Sequence, residues 1–256
     1  MIVRRLADSI RRQDWGTVTL EVVIVVLGVF IGIQVSNWND ARAGEAREAL
    51  LLTELRAEAL SNAASSRSVG EGLTVGAEAA RRILVRHDTR AFACAPDCWS
   101  VLVDLMHASQ WQQIYQRWTT YEELRRAGLP SDRRIIGAVE AYQLASHRVT
   151  QALDARPDYR TLVRRRIPIA MQDIHWGQCF VEDGSFEIYV DPCPTPSVLP
   201  PMDESALEAI LSDTELMATL REWTSIARVS GNGLTTLQVD LAAEIVASID
   251  ETDADR

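Results

Sequence analysis

The chain contains no lysine: all 26 of its basic residues are arginine, set against 36 acids for a net charge of -10 over 256 residues. That balance argues against a nucleic-acid partner, because a basic face supplies most of such affinity. Catalytic signatures are missing too. There is no H-E-x-x-H, no G-x-S-x-G, no phosphate loop and no EF-hand loop. Gly70-Glu-Gly72 followed by Gly76 has one residue too many for a dinucleotide pattern and follows no strand, so it reads as a turn. No catalytic, cofactor-binding or metal-binding residue is assigned on the sequence, and no cofactor is expected.

What the chain does have is one long apolar run, Leu20 to Asp40, reading LEVVIVVLGVFIGIQVSNWND. The 20 residues from Gly16 to Val35 rise roughly 30 Å as a helix, the thickness of a bilayer's hydrocarbon core. Trp15 and Trp38 flank the run where amphipathic rings favour the headgroup region. Arg4, Arg5, Arg11 and Arg12 precede it, while Asp40, Arg42, Glu45, Arg47 and Glu48 mix both signs after it. The positive-inside rule therefore places the N-terminus in the cytoplasm and the rest of the chain outside, which in a bacterium means an inner-membrane anchor and a periplasmic domain. Ile2, Val3, Leu6 and Ile10 fit a short interfacial helix in the stub. The competing reading is a cleaved signal peptide with Ala41-Arg42-Ala43 as its site. Within the span, Glu21, Val25, Gly28, Gly32 and Val35 line one face, which predicts self-association through the small pair. The alternative is that the glycines reflect span composition and Glu21 reaches the headgroups.

The four cysteines, Cys94, Cys98, Cys179 and Cys193, all follow the span. An even number outside the membrane points to two disulfides, and Cys94–Cys98 with Cys179–Cys193 is the favoured pairing because each closes a short segment. A zinc site using Cys94, Cys98, His175 and Cys179 is the rival.

The predicted fold is mainly α: a transmembrane helix continuing into a helical extracytoplasmic domain with one small β-hairpin. The boundaries are a cytoplasmic stub at 1–15, the span at 16–36, a helical stalk at 37–67, the domain at 68–250 and a disordered tail at 251–256. Nothing after Trp38 breaks a helix, and Leu51, Leu52, Leu55, Ala59 and Leu60 repeat at helical spacing, whereas Ser61 to Gly76 is small and polar and predicts a loosened segment. Thr119-Thr-Tyr-Glu122 reads as a capping box for a short helix ending at Gly128, and Ser131 starts the next, with Ile135, Val139, Tyr142 and Leu144 inward. A helix from Pro157 to about Trp176 is expected to kink at Pro168, and Arg164, Arg165 and Arg166 read as a solvated face. Phe180-Val181 and residues 186–190 flank Asp183-Gly184, a hairpin signal. Ser212-Asp-Thr-Glu215 reads as a second capping box. From it Leu216, Leu220, Trp223, Ala227, Ser230, Leu234, Leu237 and Leu241 alternate spacings of four and three through Gly231-Asn-Gly233. One helix from about Asp213 to about Ile249, antiparallel to the stalk, is the expectation; a hairpin turning at Gly231 is the alternative.

The span, together with TTYEELRRAGL and RRIIGAVEAYQ further on, resembles a widespread bacterial family of single-pass membrane proteins of unknown function, whose glycine-bearing span ends in an Asn-Trp-Asn motif ahead of a helical domain. The match covers roughly residues 15–60 and 108–145. Cys94, Cys98 and the hairpin have no counterpart in that pattern, and Pro130 stands where it carries apolar residues. The resemblance implies membrane anchoring and no particular activity.

Histidines 107, 147 and 175 fall on predicted helices, where a hydrogen-bonded or surface role is commoner than that of a base. Trp111, Tyr115, Trp118 and Tyr121 recur at i, i+4, i+7 and i+10 and form the densest aromatic group, for packing or for a binding groove. The functional expectation is a membrane-anchored periplasmic interaction protein, a scaffold, adaptor or sensor, whose partners are the lipid bilayer and either a second copy or another envelope protein. The alternative is an envelope enzyme or ligand-binding domain using residues 111–166.

Overall fold

The structure, a computed structural model, describes residues 15–183, 186–198 and 203–254. The interfacial stub helix and the hairpin tip at Gly184 and Ser185 lie outside the described residues. The architecture is mainly α with one two-stranded antiparallel sheet among the described residues, as the sequence predicts. Two units make up the chain, Met1–Leu52 and Thr53–Arg256.

Helix α1, Trp15–Asp88, contributes to both units and contains no proline, so nothing in it removes a backbone donor. In the first unit an 18-residue window has a mean hydropathy of 2.5 and none of it is buried. Every large apolar side chain from Leu20 to Val35 is at least 45% exposed. This stretch is long and apolar enough to cross a membrane.

In the second unit, residues 53–88 of α1 bury Leu55, Ala59, Ala63, Ser66, Leu73 and Ala77, a stripe of helical spacing made mostly of small side chains. The expected loosening over Ser61–Gly76 does not occur; the helix runs through it without interruption. The glycines serve packing instead. A Cβ on Gly70 would lie 2.7 Å from Cγ2 of Thr235, one on Gly72 would strike the Tyr189 ring, and one on Gly76 would sit 3.0 Å from the His107 carbonyl oxygen. Residues 53–67, assigned to a stalk on the sequence, thus supply interior to this unit.

The shorter elements follow: α2 (Cys98–His107), α3 (Thr119–Arg126), α4 (Arg133–Leu153), α5 (Asp158–Arg164), α6 (Ile169–Cys179), strands β1 (Phe180–Asp183) and β2 (Phe186–Tyr189), α7 (Glu204–Ser212), α8 (Thr214–Asn232) and α9 (Gln238–Ala254). Helix α2 is the most enclosed, with nine of its ten residues buried, and Asp97 caps it by accepting from the Ser100 amide at 3.1 Å. Strand register pairs Phe180 with Tyr189 and Val181 with Ile188.

Several local expectations change. Thr119 opens α3 without capping it; the carboxylate of Glu58, on α1, accepts from the Thr119 and Thr120 amides at 2.8 and 3.3 Å, so the cap comes from another helix. Helix α3 does end at Gly128, where φ is +77° and the Leu129 and Gly128 amides return to Leu124 and Arg125 in a Schellman arrangement. Asp132 rather than Ser131 caps α4, and Asp213 rather than Ser212 caps α8. Leu144 is 57% exposed while Ala145 and Ser146 are buried in its stead. Pro168 separates α5 from α6 outright instead of kinking one helix, because its ring cannot follow a helical turn there. Residues 251–254, read as tail, are helical: Thr252 donates to Asp132 at 3.0 Å and Arg134 pairs with Glu251 at 2.8 Å.

The C-terminal segment is one continuous helical run, not a hairpin. Helix α8 passes through a π-helical turn, Gly233–Leu237, into α9. It is antiparallel to α1: Asp88 pairs with Arg221, Gly70 meets Leu234 and Thr235, Ser66 bonds Gln238 and Arg56 bonds Asp250. The π turn inserts one residue, and the buried stripe slips by one as a result. Leu216 through Leu234 are buried as expected, but Leu237 is 50% exposed, and the stripe resumes at Gln238, Ala242, Ile245 and Ile249. The slip brings Gln238 into a buried polar node. Its Oε1 accepts from Ser66 Oγ at 2.6 Å and from Gln116 Nε2 at 2.8 Å, and Gln116 also donates to the Tyr142 hydroxyl at 3.0 Å.

Gln238→Leu is therefore expected to destabilise the protein by about 1–3 kcal/mol, leaving Ser66 and Gln116 without their shared acceptor. Leu237→Gln, one residue earlier, should stay within about 0.5 kcal/mol of the parent. Urea unfolding of the detergent-solubilised protein measures both, and the opposite ranking would mean that the C-terminal helix keeps an unbroken α register.

Candidate functional site

Two places in the second unit bring chemistry-bearing side chains together. The first is a polar cleft. After α2 the chain runs without regular secondary structure from Gln110 to Trp118, and Asn62 of α1 grips it at two points, donating to the Arg117 carbonyl at 2.7 Å and accepting from the Arg117 amide at 3.1 Å. Because this segment is not helical, the i, i+4, i+7 and i+10 spacing does not place Trp111, Tyr115, Trp118 and Tyr121 on one helix face. Trp111 donates Nε1–H to the Leu153 carbonyl at 2.9 Å beneath the Arg156 guanidinium, while Trp118 stacks edge-on against Tyr121 and Tyr142. Tyr121 is buried and Tyr115 is 77% exposed. Of these four, Trp111 and Tyr115 border the cleft of about 640 Å³ that opens between this segment and Ser61, Asn62 and Ser68 of α1. Its lining includes no carboxylate, imidazole or thiol, so it offers hydrogen bonds and a stacking surface but no group to move a proton near neutrality.

The second place, which sequence reasoning did not assemble, is a buried aromatic and imidazole cluster. His107 ends α2 and His175 sits in α6; both are fully buried, their ring centroids 5.1 Å apart and inclined at 70°. His107 meets Tyr189 of β2, His175 meets Trp176, and Trp176 meets Phe180, each edge-on at 5.1–5.8 Å. The Arg164 guanidinium lies 5.1 Å over Trp176 and donates to Ser109 Oγ and Gln110 Oε1, both at 2.9 Å. Burial pulls Arg164 down to about 10. The triple arginine is thus not one solvated face: Arg164 stacks inward, while Arg165 and Arg166 are exposed and Arg166 pairs with Asp213 at 2.7 Å.

None of the four ring nitrogens of His107 and His175 makes a hydrogen bond. The Asp191 carboxylate and, less strongly, the Cys179 carbonyl, which the Val190 amide engages at 2.9 Å, favour the charged form of His107. Desolvation outweighs that effect. It drives His107 down to about 4 and His175 to about 3, the latter helped by the neighbouring imidazole and by Arg164. Both rings are neutral at ordinary pH, each with a free lone pair. Beyond them, Asp104 accepts from Arg82 through three contacts of 2.7–3.1 Å. Burial raises this carboxyl while the guanidinium opposes the shift, so the pair holds α2 to α1 as a structural clamp.

Both expected cysteine pairs stand at disulfide distance, with Cα separations of 4.6 Å for Cys94–Cys98 and 5.1 Å for Cys179–Cys193. The rival zinc set is not assembled among the described residues, since Cys94 and Cys98 fall in a different cluster from His175 and Cys179. Gly28 and Gly32 lie on the exposed apolar stretch of the first unit with no atom within 4 Å of where a Cβ would be, and Glu21 is half-buried.

The two depressed histidines fix a pH dependence. Below the ordinary value of about 6.5 the unfolded chain binds protons that the folded protein refuses, so stability is lost on acidification from about pH 6.5 towards 4. The loss at pH 5 is expected to be on the order of 2 kcal/mol for each histidine, and replacing both by asparagine should flatten the profile between pH 7 and 5. Urea midpoints of the metal-free, oxidised protein supply the measurement; an unchanged profile in the double variant would place the acid sensitivity elsewhere. Comparison of the chain with protein-family models, with curated proteins and with solved structures found no match.

Proposed function

We propose that this chain is a membrane-anchored interaction protein of the bacterial inner membrane, with its N-terminus in the cytoplasm and its helical unit in the periplasm, acting as a scaffold, adaptor or sensor. The observation that carries the reading is the exposed stretch of α1: an apolar window of mean hydropathy 2.5 with none of it buried needs lipid or another protein around it. The arginine bias before the span supports the orientation. Two cysteine pairs at disulfide distance support an oxidising compartment for the outer unit. The resemblance to single-pass proteins with an Asn-Trp-Asn motif points the same way. Partners on this reading are the bilayer and either a second copy or another envelope protein.

A ligand-binding domain is the second reading, favoured by the polar cleft beside Trp111 and Tyr115. The two differ in what the molecule captures. In-membrane cross-linking followed by mass spectrometry of the captured chains is expected to return a specific envelope protein or the chain itself. Its failure, with a small polar molecule retained through purification and released by Trp111→Ala, would favour the cleft. Self-association through the span has its own test: replacing Gly28 and Gly32 with leucine should reduce the signal in a membrane two-hybrid assay several-fold, and an unchanged signal removes that face from the interaction.

A further inference from the structure

We infer that His107, His175 and Cys179 form a latent transition-metal site of the zinc type, closed by the Cys179–Cys193 disulfide and opened by its reduction. The donor atoms of the three residues, the two imidazole nitrogens and the Cys179 sulfur, lie within 4.8 Å of one another, and all three residues are buried. Ligands around a tetrahedral ion stand about 3.5 Å apart, given metal–nitrogen and metal–sulfur bonds of about 2.0–2.3 Å, so small side-chain rotations close the remainder.

An independent observation points to a ligand. His107 and His175 are 0% exposed and no ring nitrogen of either meets hydrogen-bond geometry; the Cys179 carbonyl, already accepting from the Val190 amide, is the one backbone acceptor near His107, and His175 has none. Buried polar atoms of a folded protein are satisfied in the great majority of cases, so two adjacent imidazoles left open face to edge are an exception that needs a cause. A metal takes an imidazole through an unprotonated ring nitrogen, and both rings sit in the interior with nitrogens open to one. In the disulfide the Cys179 sulfur is a poor ligand; a thiolate is a strong one.

Sulfur accessibility gives the switch a direction. Cys179 is 0% exposed, whereas Cys193 is half-buried at the edge of the core. A reducing dithiol therefore attacks the Cys193 sulfur through its thiolate, the S–S bond breaks, and Cys179 leaves as a thiolate among the two imidazoles. The second thiol of the reductant then resolves the mixed disulfide, so that the dithiol is oxidised and two electrons pass to the protein. The departing thiolate needs no proton where a divalent ion takes it. Cys193 leaves in its turn as a thiolate, and the two protons of the dithiol pass to solvent, so that two imidazoles and the Cys179 thiolate hold the ion and its fourth position is left to water or to a thiolate brought in by movement of the chain after β2. Reoxidation by a disulfide of higher potential reverses each step and expels the metal.

The test uses the full-length protein in detergent micelles, with Co²⁺ as the probe because its tetrahedral thiolate complexes absorb visibly. Disulfides are reduced with a phosphine, which is removed under inert gas before titration. The reduced protein is expected to bind one Co²⁺ per chain with thiolate charge-transfer and tetrahedral d–d bands, and the oxidised protein is expected to show neither. His107→Asn and His175→Asn should each weaken binding at least tenfold while keeping helical circular dichroism and, when oxidised, the Cys179–Cys193 bridge. A Cys94→Ser/Cys98→Ser background removes the other two thiols; should it not fold, the native background decides by the same histidine comparison. Absent bands in reduced protein, bands indifferent to both histidine substitutions, equal binding by the oxidised protein, or loss of helicity on reduction even with metal present would each overturn the proposal.

Discussion

The second unit depends on how closely other elements can approach one face of α1. At Gly70 the backbone of the C-terminal helix comes near enough that a Cβ would stand 3.0 Å from the Gly231 carbonyl oxygen, and a Cβ on Gly231 would stand 3.1 Å from that of Gly70. The two glycines admit each other. Two residues further along, Gly72 makes room for the Tyr189 ring, and at Gly76 the end of α2 seats its His107 carbonyl. One run of small residues thus sets the separation of the long antiparallel pair and the position of the imidazole cluster together. Larger side chains would push both outward, since packed interiors have no slack to absorb a methyl group.

Polar groups on the same helix do the rest of the positioning. Asn62 satisfies the Arg117 backbone at the end of the irregular segment after α2, and Glu58 satisfies the first amides of α3. Ser66 reaches Gln238, and the π-helical turn is what brings Gln238 inward. Single π turns inserted in α-helices often sit at functional or structurally constrained points, and here the constraint is a buried node joining α1, the segment between α2 and α3, α4 and α9.

Periodicity made much of this legible. The exposed apolar stretch, the short-range cysteine pairs, the hairpin strands, the end of α3 at Gly128 and the single C-terminal helix all follow from local pattern. Three features did not. Ser61–Gly76 has the composition of a loop, and only the atoms packed on its glycines reveal a helix; nothing local distinguishes a glycine that bends a chain from one that is approached. The one-residue slip at Gly233–Leu237 is masked because Leu237 and Leu241 continue an apolar register, while the true first inward position, Gln238, is polar. The pairing of His107 with His175 joins two helices 68 positions apart and carries no sequence signal beyond two histidines with apolar neighbours. Local motifs misled in a consistent way: Thr119 and Ser212 look like caps, but Glu58 and Asp213 do the capping.

Glycine substitution separates the two accounts of α1 by sign. If Gly70 and Gly231 exist to let helices approach, Gly70→Ala and Gly231→Ala must lower the thermal midpoint of the solubilised protein, despite alanine's advantage of about 1 kcal/mol in helix propensity. Gly137→Ala on α4, where a Cβ meets no atom within 4 Å, should raise it. A rise in all three would mean that Gly70 of α1 and Gly231 of α8 are merely poor helix formers, contradicting the close approach on which the unit is built.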